Sequence, residues 1–301
     1  IKAQPILELL QVNNEKGEIL HRANYIMDHD FILFGKEYSF LPEQSSTFGS
    51  YQKINWHYDP STESEFPQKG WYRLVRKNLP KGSDIKYPWE LSRFQHLVLL
   101  GQAYADTNEE KYTLEFINQI TDWIENNPVR YGINWSNTME VGIRAANWTI
   151  ALLYFKKSRH VTKEFLKQYF KSIQEHANHI YQNLENLQPI NSNHYIGNLF
   201  GLYILSSICP FLNGSSKWLK FSKKELEKEI IRQTDKDGWD YEASTAYHRL
   251  VTEMFLYIFI IAKYSNQPFS NSYFNRLRKM LDNINVLQKP DFTIPQIGDN
   301  D

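Results

Sequence analysis

From Pro88 onward, apolar residues recur every three to four positions, the interval of amphipathic helices. Trp89, Leu91, Phe94, Leu97, Val98, Leu100 and Tyr104 fit one stripe, with Pro88 admissible in its first turn. Tyr112, Leu114, Phe116, Ile117, Ile120, Trp123 and Ile124 fit a second. It ends at Asn127-Pro128, because the residue before a proline avoids the helical region. The same pattern predicts helices over 139–155, 165–187, 195–208 (stopped by Pro210), 218–234, 245–264 and 273–287. The intervening loops are short, so consecutive helices are expected to be antiparallel neighbours.

Residues 1–85 read as an irregular N-terminal segment. Turn clusters (Pro42–Ser46, Asp59–Thr62) alternate with short aromatic pieces such as Phe31–Phe34, and short helices are allowed around Ile6–Gln11. No two-residue alternation of any length competes with the helical period. The predicted organisation is this segment packed on an all-α domain of helical hairpins over 86–301. Periodicity alone leaves a bundle, a superhelix and a closed toroid open.

Composition narrows the function classes. Lys+Arg and Asp+Glu are 34 each in 301 residues, so the chain lacks the basic excess of a nucleic-acid binder. Zero net charge supplies no global field for a densely sulfated polymer, although a local basic groove remains compatible with it. Cys209 is the only cysteine, which excludes an intrachain disulfide and a cysteine-rich metal site. No apolar run reaches 18 residues, so no transmembrane helix is expected. The polar ending Gly298-Asp299-Asn300-Asp301 suggests that more protein follows. Aromatic residues make up 15%, which suits either a ring-rich core or a groove that stacks on sugars.

Two short stretches concentrate polar chemistry beside apolar helical runs: Asn191–Tyr195 and Glu242–Arg249. Such clusters cost stability unless paired or used. Ser192 or Asn193 can serve as a helix cap, which leaves His194 unexplained. Tyr247 shares a stripe with Leu250, Val251 and Met254, as a core tyrosine would, but His248 and Arg249 follow it and either could favour a phenolate. Glu140 and Arg144 stand at i, i+4, the spacing of a helix-surface ion pair. With Asn147, and with Trp135 and Trp148 nearby, they also suit a saccharide groove. Glu90 and Arg93 read as structural. Asp235, Asp237, Asp240 and Glu242 lack the full calcium-loop pattern, and Asp299 with Asp301 is too little for a metal. No phosphate loop, HExxH or G-x-S-x-G motif occurs.

In these stretches the chain resembles the heparinase II/III-like polysaccharide lyases. The matching segments are Trp89–Arg93, Asn134-Trp135, Met139–Trp148, Asn191–Tyr195, Asp237-Gly238, Glu242–Val251 and Gly298-Asp299, in the family's order along nearly the whole chain. The resemblance implies an incomplete α/α toroid, followed in relatives by β-sandwich domains. It also implies β-elimination at a uronic acid in an anionic polysaccharide, without cofactor or metal, outside the cytoplasm. By the same resemblance Asn193 neutralises the uronate carboxylate, and Tyr247 is the base at C5 and the acid to the leaving oxygen. His194 serves substrates whose proton and leaving group lie on opposite faces. Trp135, Glu140, Arg144, Asn147, Glu242, His248 and Arg249 are the expected substrate-binding residues. Two alternatives remain: an inverting glycoside hydrolase using Glu140 and Glu242, and a non-catalytic polysaccharide-binding or assembly module.

Overall fold

The computed structural model describes residues 16–40, 47–48, 51–77, 79–187 and 191–300. Ten α-helices dominate the described residues. They are α1 (Lys16–Met27), α2 (Lys86–Ser92), α3 (His96–Thr107), α4 (Glu110–Asn126), α5 (Thr138–Phe155), α6 (Lys163–Gln182), α7 (Asn193–Ile208), α8 (Ser215–Arg232), α9 (Thr245–Tyr264) and α10 (Asn271–Leu287). The chain divides into two compact units between His179 and Ile180, so α6 runs across the division.

The described part of the segment up to residue 85 is more ordered than its sequence suggests. α1 buries Ile19, Ala23 and Ile26, one helical stripe, against α3 and α4. Three antiparallel strand pairs follow among the described residues; the longest pairs Asp30–Leu33 with Lys36–Ser39 and buries Phe31 and Leu33 on one face. Strands of two to four residues are too short to register as a period in the sequence. The helices allowed around Ile6–Gln11 lie outside the described residues.

The single helix expected from Pro88 to Tyr104 is two, α2 and α3. The break falls at Phe94, whose φ of 58° is left-handed and costs a non-glycine residue about 1 kcal/mol or more. In return the ring is fully buried, stacked on Trp56 at 4.9 Å and edge-on to Trp148 at 5.3 Å. Burying a phenylalanine is worth about 1.5–3 kcal/mol, enough to outweigh the backbone strain. Asn147 Nδ2 donates to the Arg93 carbonyl at 2.8 Å, satisfying one acceptor at the break.

In the unit from Ile180 onward, α7 packs on α8 and α9, and α10 packs on α8 and α9. α7 is apolar nearly all round. Of its 16 residues only His194 and Ile208 are not buried. A helix enclosed on every side has no room to shift, so its first turn is a rigid mount for side chains. Ser192 caps it by accepting the His194 N–H. Ser244 caps α9 in the same way through the Tyr247 N–H.

Candidate active site

Asn193 and His194 occupy the first turn of α7, and Tyr247 the first turn of α9. The loops before these helices are tied together. Glu242 Oε1 accepts the Asn193 backbone N–H at 2.7 Å. Asn193 Nδ2 donates to Glu242 Oε1 and Oε2 at 3.1 and 3.0 Å. The Tyr241 hydroxyl donates to the Asn191 carbonyl at 2.7 Å. These contacts bring the two polar stretches to one place. The two carboxylate oxygens subtend far less than the roughly 120° between the hydrogens of a planar amide, so they share one hydrogen of Asn193. The second points elsewhere.

His194 is the polar side chain of this turn that reaches the surface; it is about 38% exposed. Its Nδ1 lies 2.9 Å from Glu185 Oε1. A carboxylate at that distance selects the Nδ1–H tautomer and leaves the Nε2 lone pair as the basic position. Glu185 is itself anchored: Asn198 Nδ2 donates to its Oε2 at 3.0 Å, and its backbone N–H donates to Asn198 Oδ1 at 2.7 Å. Glu185 is absent from the sequence reading. The legible signal was Asn198, an amide inside the apolar run of α7 and fully buried.

Tyr247 is half-buried, and its turn is sealed by the chain at 295–299. Thr245 N–H donates to the Ile297 carbonyl at 2.9 Å, and Thr245 Oγ1 to the Pro295 carbonyl at 2.9 Å. The Ser244 hydroxyl donates to the Asp299 carbonyl. Gly298, at φ +78°, permits this approach: a Cβ there would stand 2.7 Å from the Ala243 carbonyl oxygen.

His248 faces inward. It is buried, its Nδ1 accepts the Asp240 backbone N–H at 3.2 Å, and its Nε2–H donates to the Met280 carbonyl at 3.1 Å. Burial holds its pKa below the ordinary range. Both nitrogens are thus occupied by backbone, and the ring braces α9 against α10. Arg249 points to solvent and pairs with Glu253 at 3.3 Å. The Asp240 carboxyl beside them is buried with no well-aligned hydrogen-bond partner. Burial, and then the neighbouring Glu242 charge, push its pKa up to about 7. The acidic run Asp235–Asp240 forms a hairpin turn through Gly238, and no cluster of three metal-ligating side chains occurs among the described residues.

The other expected contacts lie in the unit that ends at His179. Glu140 does not form the i, i+4 surface pair with Arg144. It is buried and takes Arg93 in a two-pronged pair, Nε–Oε2 2.6 Å and Nη2–Oε1 2.9 Å. Arg144 is fully buried, with its guanidinium 4.2 Å above the Trp123 ring. Its Nε donates to His176 Nε2 at 2.9 Å and its Nη2 to the Asn134 carbonyl at 3.0 Å. Burial lowers its pKa to about 9. Trp135 is 1% exposed, with its indole N–H on the Asn127 carbonyl at 3.2 Å. Asn147 is committed to the break at Phe94. The tryptophans flanking this stripe are core rings, Trp135 at 1% and Trp148 at 0% exposure.

Comparison with known proteins agrees with the fold. The family model for the heparinase II/III N-terminus matches residues 6–301. The heparin-sulfate lyase of Pedobacter heparinus is 25% identical over 225 residues, 72% of this chain and 33% of that protein. That of Bacteroides thetaiotaomicron is 28% identical over 172 residues, 56% of this chain and 24% of its own length. The chain thus spans about a third or less of these curated relatives. Among solved structures, heparinase III superposes with a TM-score of 0.66 at 21% identity, covering 96% of this chain and 43% of that one. An alginate lyase superposes at 0.53 and 14% identity, covering 93% and 80%. At such identities the likeness is one of fold, the α/α toroid of antiparallel helical hairpins. With nearly its whole length matched, the chain belongs to the heparinase II/III N-terminus family.

Proposed function

We propose that this chain carries the toroid part of a polysaccharide lyase that cleaves a uronate-containing, heparan-sulfate-like glycan by β-elimination. The observation that carries the reading is the Glu242–Asn193 tie, which sets an oriented amide beside the turn holding Tyr247. The relatives named above as heparin-sulfate lyases support the substrate class.

The C5 proton of a uronate is weakly acidic because the adjoining carboxylate is already negative. The second amide hydrogen of Asn193 donates to that carboxylate, and the positive end of α7 adds to the effect, so charge can build at C5. Tyr247, as phenolate, removes the C5 proton. The C4–O4 bond then breaks with its electron pair passing to O4, a C4=C5 double bond forms, and the phenol returns a proton to O4. One group can do both only when proton and leaving group share a face. For the opposite epimer, His194 Nε2 takes the proton and Tyr247 acts as acid alone. A further histidine from a C-terminal β-sandwich, acting outside the cytoplasm, belongs to the same proposal.

The glycoside hydrolase alternative loses its nominated pair, because Glu140 is buried against Arg93. The test is a rise in ultraviolet absorbance from the conjugated C4=C5 uronate product, measured with the full-length protein and heparan sulfate, chondroitin, hyaluronan or alginate. A rise supports elimination. New reducing ends without absorbance indicate hydrolysis, and saturable binding without cleavage indicates a binding module.

A further inference from the structure

The chain is neutral overall, but its charge is not spread evenly. Between Glu65 and Asp84 it carries five basic residues, Lys69, Arg73, Arg76, Lys77 and Lys81, and no acidic one. This stretch is joined to residues 130–132 by backbone pairing. Tyr72 N–H donates to the Arg130 carbonyl at 3.0 Å, and Gly132 N–H to the Gly70 carbonyl at 2.8 Å. The bridge sets Trp71 against Tyr131, rings edge-on at 5.7 Å. Gly132, at φ +76°, allows it; a Cβ there would lie 3.2 Å from the Gln68 carbonyl oxygen.

Both rings face solvent, Trp71 at 39% exposure and Tyr131 at 43%. Trp71 is the one exposed tryptophan among eight, so its exposure is not a habit of this chain. The flanking arginines are braced. Arg73 Nε donates to the Tyr72 hydroxyl at 2.8 Å, and the Arg76 guanidinium lies 5.2 Å from the Trp89 ring. Arg130 and Arg73 also converge electrostatically. After burial, the Arg130 charge is the next cause holding His179 down to about 3, and Arg73 contributes in the same direction.

Exposed rings, the edge of one held against the face of the other, offer apolar surface on which a pyranose can rest. Braced guanidiniums beside them match carboxylate or sulfate oxygens in two-pronged geometry, with little rotamer freedom left to lose. We infer that the Trp71–Tyr131 ledge with Arg73, Arg76, Lys77 and Arg130 is a saccharide-binding subsite for an acidic polysaccharide, sulfated chains above all. It rests on the reading of the protein as acting on such polymers. It adds a subsite that the reactive residues do not require.

Heparan sulfate oligosaccharides, hyaluronan oligosaccharides and neutral dextran, titrated into the full-length protein, test it. Heparan sulfate should shift the emission of the exposed tryptophan and shield it from acrylamide, dextran should do neither, and Trp71→Phe should lose the signal. Arg73→Gln with Lys77→Gln, both at exposed positions, should weaken heparan sulfate binding and raise KM about tenfold or more. It should also flatten the dependence of affinity on salt. Near-ultraviolet circular dichroism confirms that each variant is folded. If wild type cleaves heparan sulfate and the folded variants match it in affinity, KM and salt slope, the subsite is refuted and the lyase reading stands. If wild type neither binds nor cleaves any uronate polymer, both fall.

Discussion

Glu242 takes the backbone N–H and the side-chain amide of Asn193 on one carboxylate, at 2.7 to 3.1 Å. The same group therefore neutralises a free donor of the α7 terminus and aims the amide. Glu242→Gln would turn an N–H₂ toward Asn193's own donors. We expect a fall in kcat of about 10²-fold from the misdirected amide. A stability loss of roughly 1–3 kcal/mol should accompany it. Ultraviolet product assays and denaturant melts read the two effects separately.

Tyr247→Phe removes only the hydroxyl from a half-buried ring, so the fold and polymer affinity should survive. Turnover should drop by roughly 10²–10⁴-fold, the usual worth of a positioned acid–base group. A Phe variant with wild-type rates would remove Tyr247 from the reaction.

Glu185 fixes the tautomer of His194. Glu185→Gln still offers an oxygen to Nδ1–H, whereas Glu185→Ala offers none. Activity on iduronate-rich substrate should therefore fall more in the Ala variant than in the Gln variant, with glucuronate-rich substrate less affected in both. Equal losses on both epimers would point to a purely structural role.

Asp240 gives a pH signature. Its folded pKa, up to about 7, lies above the unfolded value of 3.8, so the folded state holds the extra proton between them. Stability therefore decreases as pH rises from about 4 to 7, and the penalty is complete above that window. Asp240→Asn should flatten this slope and stabilise the protein at pH 8 by an amount on the order of 4 kcal/mol. Denaturant midpoints at pH 5 and pH 8 measure it.

Glu140 is buried, and its pair with Arg93 shares the guanidinium with Glu90. Losing Glu140 leaves Arg93 held by Glu90 alone, so Glu140→Ala should cost about 1–3 kcal/mol, while Arg249→Ala, at an exposed pair, should cost less than about 1 kcal/mol. Thermal melts of the two variants distinguish the cases.

What could be read beforehand follows the range of the forces involved. α9 spans Thr245–Tyr264 as its apolar stripe predicts, because stripe and Ser244 cap are both local signals. The break at Phe94 was not legible. Its cause is a ring contact with Trp56, 38 positions away, that outweighs local helical preference. Glu140 shows the same range effect: the sequence offers Arg144 one turn ahead, whereas its partner in the fold is Arg93, 47 residues back. At the candidate site Asn193, His194 and Tyr247 stood out as polar residues beside apolar runs. Glu185 did not, because only the folded chain brings it to His194.

The strap at 295–299 carries a consequence for synthesis. The start of α9 is completed by carbonyls 50 to 55 residues further along the chain. A ribosome delivers Tyr247 first and its seal several seconds later, at roughly 5–20 residues per second. During that interval α9 can wind and pack on α7, but its first turn waits. The tyrosine on which the chemistry is proposed to turn is among the last parts of the helix to be set in place.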